Sequence, residues 1–167
     1  MDNRVLFVDD DEELLQLFSK KLGGDFNLTT ATSPAQGLDI LKDWDFKVIV
    51  SDYDMPITNG IEFLNQVQEV APKSVRMMLT GNNDLAVARE AVNSGEVYRF
   101  ESKPIVISKL RTSVHACIHQ FDMQENERIL LEKTLNGAVK VLKDMLSMAS
   151  PLAFSRTNRL CNYATQL

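Results

Sequence analysis

Three stretches of this chain are short apolar runs with almost no polar interruption: RVLFV at Arg4–Val8, VIV at Val48–Val50 and VRMML at Val75–Leu79. A strand that alternates apolar and polar residues keeps one wet face. A strand that is apolar throughout has none, so it belongs in a parallel sheet covered by helices on both sides. The segments between these runs carry helical spacing. EELLQLFSKKL places Leu14, Phe18 and Leu22 on one face before Gly23-Gly24 stops it. Ser33-Pro34 offers an N-cap and a first-turn proline to a helix bearing Leu38 and Leu41. Asn59-Gly60 turns the chain into a helix over Ile61–Val70, and NNDLAVAREAVNSG reads as a fourth helix. FNLTTA and VYRF are weaker strands. Repetition of β-then-α predicts an α/β fold: a five-stranded parallel sheet, doubly wound through right-handed crossovers.

With 167 residues, 44% of them hydrophobic, the chain has enough material for one cored domain and something smaller. Its net charge of -5 argues against non-specific binding to nucleic acid or anionic lipid. No apolar run approaches membrane-spanning length, and the acidic start MDNRVLFVDDDE is unlike a signal peptide. Cys117 and Cys161 lie far apart and form no CxxC pair. The expectation is a reduced, cytoplasmic protein without a cysteine-built zinc site, membrane partner or nucleic-acid partner.

In open α/β sheets the working site lies beyond the carboxyl ends of the strands. Asp9 and Asp10 follow the first strand, Asp52 the third, Thr80 the fourth and Lys103-Pro104 the fifth. Three carboxylates crowded together are costly unless something cationic joins them. Hard oxygen donors suit Mg²⁺, which keeps waters and accepts a phosphoryl oxygen. A carboxylate attacks phosphorus to give an aspartyl phosphate, and a metal and Lys103 would neutralise the charge on the transferring group. Thr80 offers a hydroxyl to that group. Taken singly, each feature has a plainer reading. Asp11 is an anion at a helix N-terminus, Met55-Pro56 and Asn59-Gly60 are turn chemistry, Lys103 is a loop lysine and Phe100 is core. Their joint placement at successive strand ends favours phosphoryl chemistry.

The stretches FVDDDE, VIVSDYDMPITNG, MMLTG and YRFESKPI resemble the receiver domain of bacterial response regulators (CheY-like), across roughly the first 120 residues. The resemblance implies a flavodoxin-like (βα)5 sheet of strand order 2-1-3-4-5. It implies that Asp52 is the phosphoacceptor and that Asp9 and Asp10 organise Mg²⁺. Asp10 and Asp52 would be direct ligands, joined by the backbone carbonyl of Asp54. Thr80 matches the switch threonine, Lys103 the phosphoryl-holding lysine, and Phe100 the switch aromatic, where many members carry tyrosine. Lys103-Pro104 would be cis, and Asp54 and Asn82 would flank the site and tune hydrolysis. Such a protein is not an enzyme beyond self-dephosphorylation; it takes its phosphoryl group from a sensor histidine kinase or a phosphotransfer protein. Asp-Tyr-Asp also resembles the haloacid-dehalogenase phosphatase motif, with Asp52 as nucleophile and Asp54 as general acid. That family carries the motif on its first strand. A third reading is an adaptor that works without phosphorylation.

From Ser108 to about Ala149 there is no proline, and Gly137 is the only glycine. Leu110, Val114, Cys117, Phe121, Gln124 and Arg128 follow alternating steps of four and three, and Leu131, Leu135, Ala138, Leu142, Met145 and Ala149 continue them. That is a heptad seam, polar at its middle, and it predicts a coiled coil in a parallel homodimer rather than a helix folded back on its own domain. His115 and His119 stand four apart but flank this seam without a convincing third ligand, so no metal site is expected there. From Leu131 onward the chain resembles the entry to HD-type output domains of receiver-linked phosphohydrolases, several of which hydrolyse cyclic di-GMP. It has no His-Asp dipeptide, and its only histidines are His115 and His119, too few for a metal phosphodiesterase. The expected organisation is a receiver over 1–120, a linking coiled coil over 121–149 and the start of a truncated output domain over 150–167.

Overall fold

The computed structural model describes residues 3–81, 85–93, 95 and 97–149, without the side chains of 85, 87, 88, 147 and 149. Asn82, Cys161 and the output segment expected over 150–167 lie outside these residues. The elements run β1 (Arg4–Val8), α1 (Glu12–Leu22), β2 (Asn27–Ala31), α2 (Pro34–Asp43), β3 (Val48–Asp52), α3 (Gly60–Val70), β4 (Val75–Thr80), α4 (Leu85–Asn93), β5 (Arg99–Ser102) and α5 (Ile107–Ala149). The strands form one five-stranded sheet in the order β2-β1-β3-β4-β5, every pairing parallel. That is the flavodoxin-like arrangement, with its switch in strand order between β1 and β3.

Alternation along the strands builds two cores. Val5, Phe7, Val48, Val50, Met77 and Leu79 face one side, where they meet α1 and the first part of α5. Leu6, Val8, Ile49 and Met78 face the other, against Phe63, Leu64 and Val67 of α3. No face of β1 or β3 is left for water, which is why those strands carry apolar residues at every core position. Helix starts follow local chemistry. Asp11 caps α1 by accepting from the Leu14 amide at 3.0 Å, Ser33 caps α2 with Pro34 in the first turn, and Asn59 caps α3.

Two expectations need correction. The fifth strand is not VYRF but Arg99–Ser102. Val97 is buried in the α4-side core and its amide bonds the Ala91 carbonyl, so its apolar character belongs to the loop. As an edge strand with β4 alone for a partner, β5 tolerates polar residues that sequence patterning assigns to a loop. The second correction concerns the heptad seam. Leu110, Val114, Cys117 and Phe121 are 0%, 0%, 0% and 6% exposed, packed on the sheet as core. Steps of three and four serve a helix lying on a sheet as well as one lying on another helix, so this first stretch is not a coiled-coil seam. The chain divides into compact units at Gln124, and beyond that point Leu131, Leu135, Leu142 and Met145 of the same register are exposed.

Buried polar groups on the α5 side of β5 are paired. Glu101 accepts from the Ser113 hydroxyl and pairs with Lys109 at 2.7 Å. Burial alone would raise the Glu101 pKa, but the Lys109 and Ser113 bonds outweigh it and hold the carboxyl below its usual value. A carboxyl depressed in the folded state contributes stability that is present above its unfolded value and lost as pH falls through the folded one. Glu101→Gln is therefore expected to lower the urea midpoint at neutral pH. The gap from wild type should close as pH falls below the ordinary glutamate value; a constant gap would contradict this assignment.

Candidate functional site

The carboxyl ends of β1, β3 and β4 meet the loop after β5 at one edge of the sheet, and the acidic residues gather there. Asp9, Asp10 and Asp52 each bring a carboxylate oxygen within 4.8 Å of the others; Asp9 and Asp52 are buried and Asp10 is exposed. The Lys103 ammonium lies between two of them, 2.7 Å from Asp52 Oδ1 and 2.9 Å from Asp9 Oδ2. The peptide bond between Lys103 and Pro104 is cis. Burial pushes the Asp52 carboxyl above its usual range, with Lys103 pulling against it by hydrogen bond and charge. Burial also opposes the Lys103 charge, but its bonds to Asp52 and Asp9 prevail and hold the ammonium above the ordinary lysine value.

One lysine against three carboxylates leaves an excess of negative charge on hard oxygen donors, and that donor set fits Mg²⁺. Both Asp9 oxygens are engaged, Oδ1 by the Asp11 amide at 3.0 Å and Oδ2 by Lys103. Asp10 is the member that faces solvent. Asp54 is exposed and stands outside the group of three. Thr80 ends β4 fully buried, its hydroxyl donating to the Gly81 carbonyl at 3.3 Å. Phe100 is half-buried against the α4-side core, in register with Met78. His115 stacks tilted on Phe26, ring centroids 4.8 Å apart.

The loop from β3 to α3 shapes the site more than its sequence suggests. Gly60 donates its amide to the Tyr53 carbonyl at 2.9 Å, and a Cβ there would sit 2.1 Å from the Asp52 carbonyl oxygen. The backbone of α3 thus presses directly against the residue that carries the carboxylate, a closeness only glycine permits. The Asn-Gly pair signals a turn, but nothing in the sequence signals this contact. Ile57 in the same loop has φ 74, and its side chain is fully exposed. A β-branched residue in that region costs about 1–2 kcal/mol. Ile57→Gly is therefore expected to raise the denaturation midpoint by an amount equivalent to about 1 kcal/mol; an unchanged or lowered midpoint would show that the Ile57 side chain offsets its backbone.

Fold, strand order and this edge of carboxylates and lysine together define a receiver-type domain. Residues 5–115 match the family described as response regulator receiver domain, and the chain belongs to that family. Hydrogenase transcriptional regulatory protein HoxA of Cupriavidus necator is 29% identical over 155 residues, 92% of this chain and 32% of that protein. The chain spans about a third of the length of the transcriptional regulators it matches. A crystal structure described as adenylate cyclase from Rhodopirellula baltica is 40% identical with TM-score 0.78, covering 80% of this chain and 99% of that one. The signal receiver domain of an HD domain-containing protein from Pseudomonas fluorescens Pf-5 is 26% identical with TM-score 0.69, covering 75% and 93%. Among the described residues no helix is long and apolar enough to cross a membrane.

Proposed function

We propose that the chain is the phosphorylatable receiver of a cytoplasmic two-component pathway, accepting a phosphoryl group on Asp52. The observation that carries this reading is the Lys103 ammonium bridging Asp52 and Asp9 beside the open Asp10 carboxylate. An Asp52 oxygen attacks phosphorus, and the bond from phosphorus to the donor breaks. The donor is a phosphohistidine of a sensor kinase or phosphotransfer protein, which leaves as imidazole. Asp10 and Asp52, with Asp9 behind them and the Asp54 backbone carbonyl beside them, would hold Mg²⁺. When bound it supplies positive charge to the transferring oxygens. Lys103 supplies the protein's own positive charge at the same place, and this chain does no further catalysis than hydrolysing its own phosphate.

A doubly negative group on Asp52 offers an acceptor to the Thr80 hydroxyl, which exchanges its bond to Gly81 for one to phosphate. Phe100, already half-buried, follows into the space this opens, and the surface of α4 and β5 is reshaped. Phosphate thus biases a two-state element. Beyond Gln124, α5 pairs with a copy of itself and carries the change to an output module. The resemblance of Leu131 onward to HD-type entries favours a phosphohydrolase module of that kind.

The test is intact mass after incubation with acetyl phosphate, with and without Mg²⁺. One phosphoryl adduct on wild type, absent from Asp52→Asn and absent without Mg²⁺, is expected. No adduct together with steady phosphate release from small esters would favour the Asp52/Asp54 phosphatase, and neither adduct nor turnover would favour the adaptor.

A further inference from the structure

The exposed half of α5 changes character along its length. With Arg128 at heptad position a, the flanking e and g positions nearby hold Glu125, Glu127, Glu132 and Thr134. Polar flanks of that kind keep e and g out of the seam, as in a two-stranded coiled coil, while Ile129 and Leu130 lie outside it at b and c, 37% and 66% exposed. From Leu135 the pattern widens. Leu135 and Leu142 occupy a, with Ala138 and Met145 at d. Val139 and Leu146 now fill e, 62% and 64% exposed, and Val141 and Met148 fill g, 52% and 85% exposed. Four of every seven positions are apolar, and the polar residues Asn136, Lys140, Lys143 and Asp144 fall only at b, c and f.

A single partner helix covers a and d; covering e and g as well takes a neighbour on each side, as in a four-helix bundle. The residues at a point the same way. Two-stranded parallel coils favour β-branched residues at a with leucine at d, and this stretch has neither: a holds Leu135 and Leu142, and d holds Ala138 and Met145. Because the heptad register runs unbroken from Arg128 through Met148, the occupant that fits is the same helix from other copies. We propose that residues 135–148 assemble four copies of this chain into a helical bundle. This rests on the reading that α5 pairs with itself, and adds that the pairing is four-stranded where the apolar face is wide.

Sedimentation or light-scattering mass of the full chain tests it. Wild type is expected at four times the 18.8 kDa chain mass. The variant Val139→Glu/Val141→Lys/Leu146→Glu/Met148→Lys, which leaves a and d intact and alters only exposed side chains, is expected to fall to a dimer with an unchanged receiver unfolding transition. A dimeric wild type would overturn the four-stranded bundle and leave the self-pairing reading standing. A monomeric wild type would overturn both, and a tetramer that survives in the variant would show that e and g take no part.

Discussion

Gly60→Ala is expected to lose about 3 kcal/mol of stability or more, the upper end for overpacking. The added Cβ would lie 2.1 Å from the Asp52 carbonyl oxygen and 2.9 Å from Tyr53 Cα, both backbone atoms that have no rotamer to give way. The strain is relieved only by moving β3 or the first turn of α3. Tyr53 is tied to β4 by its amide on the Leu79 carbonyl at 2.8 Å, so the movement reaches the end of the strand that carries Asp52. Phosphoryl uptake should therefore fall together with stability. Gly24→Ala, where nothing lies within 4 Å, is the control and should stay within about 0.5 kcal/mol of wild type. Urea unfolding of the two variants checks this, and equal midpoints would mean that the close approach of α3 to Asp52 does not constrain the fold.

Lys103→Ala is expected to slow phosphoryl uptake by about 100-fold or more, since it removes the protein's own cation from the place where charge builds on the transferring group. In metal-free buffer at neutral pH it also leaves Asp9 and Asp52, 3% and 6% exposed as side chains, beside each other without the ammonium. Breaking a buried pair of this kind costs about 3 kcal/mol. The pH dependence has a definite sign. The native Asp52 carboxyl is already raised by burial, and losing Lys103 removes a contribution that lowers it. A native state that binds protons more tightly than the unfolded one gains stability as pH falls, so the variant should recover toward wild type on acidification. Added Mg²⁺ should recover part of the loss too. In wild type the Lys103 contribution is fully present below the ordinary lysine value and fades only as pH rises beyond it. Unchanged phosphorylation in Lys103→Ala would remove the lysine from the proposed chemistry.

Burial and capping explain why much of this molecule is readable from sequence. β1, β3 and β4 are apolar because both of their faces are covered, and Asp11 and Ser33 sit before helices because orphan amides need an acceptor. Asp9, Asp10, Asp52 and Lys103 lie at strand ends, where a parallel sheet of this order brings residues distant in sequence into one cluster. What stays hidden has equally physical causes. Polar Glu101 sits inside an edge strand because Ser113 and Lys109 satisfy it, and pairing across elements leaves no local pattern. The run from Leu110 to Phe121 mimics a coiled-coil seam because a sheet and a helix demand the same spacing of the helix that covers them. The constraint on Gly60 comes from a backbone eight residues away, invisible in an Asn-Gly pair that any turn would use.

Reductive trapping tests the account at its centre. Borohydride converts an acyl phosphate on aspartate to homoserine, and peptide mass spectrometry then reads which carboxylate carried the phosphoryl group. After acetyl phosphate and Mg²⁺, homoserine is expected at position 52 and at neither Asp9, Asp10 nor Asp54. Homoserine at one of those three instead, or at none of the four, would contradict the assignment of Asp52 as the phosphoacceptor.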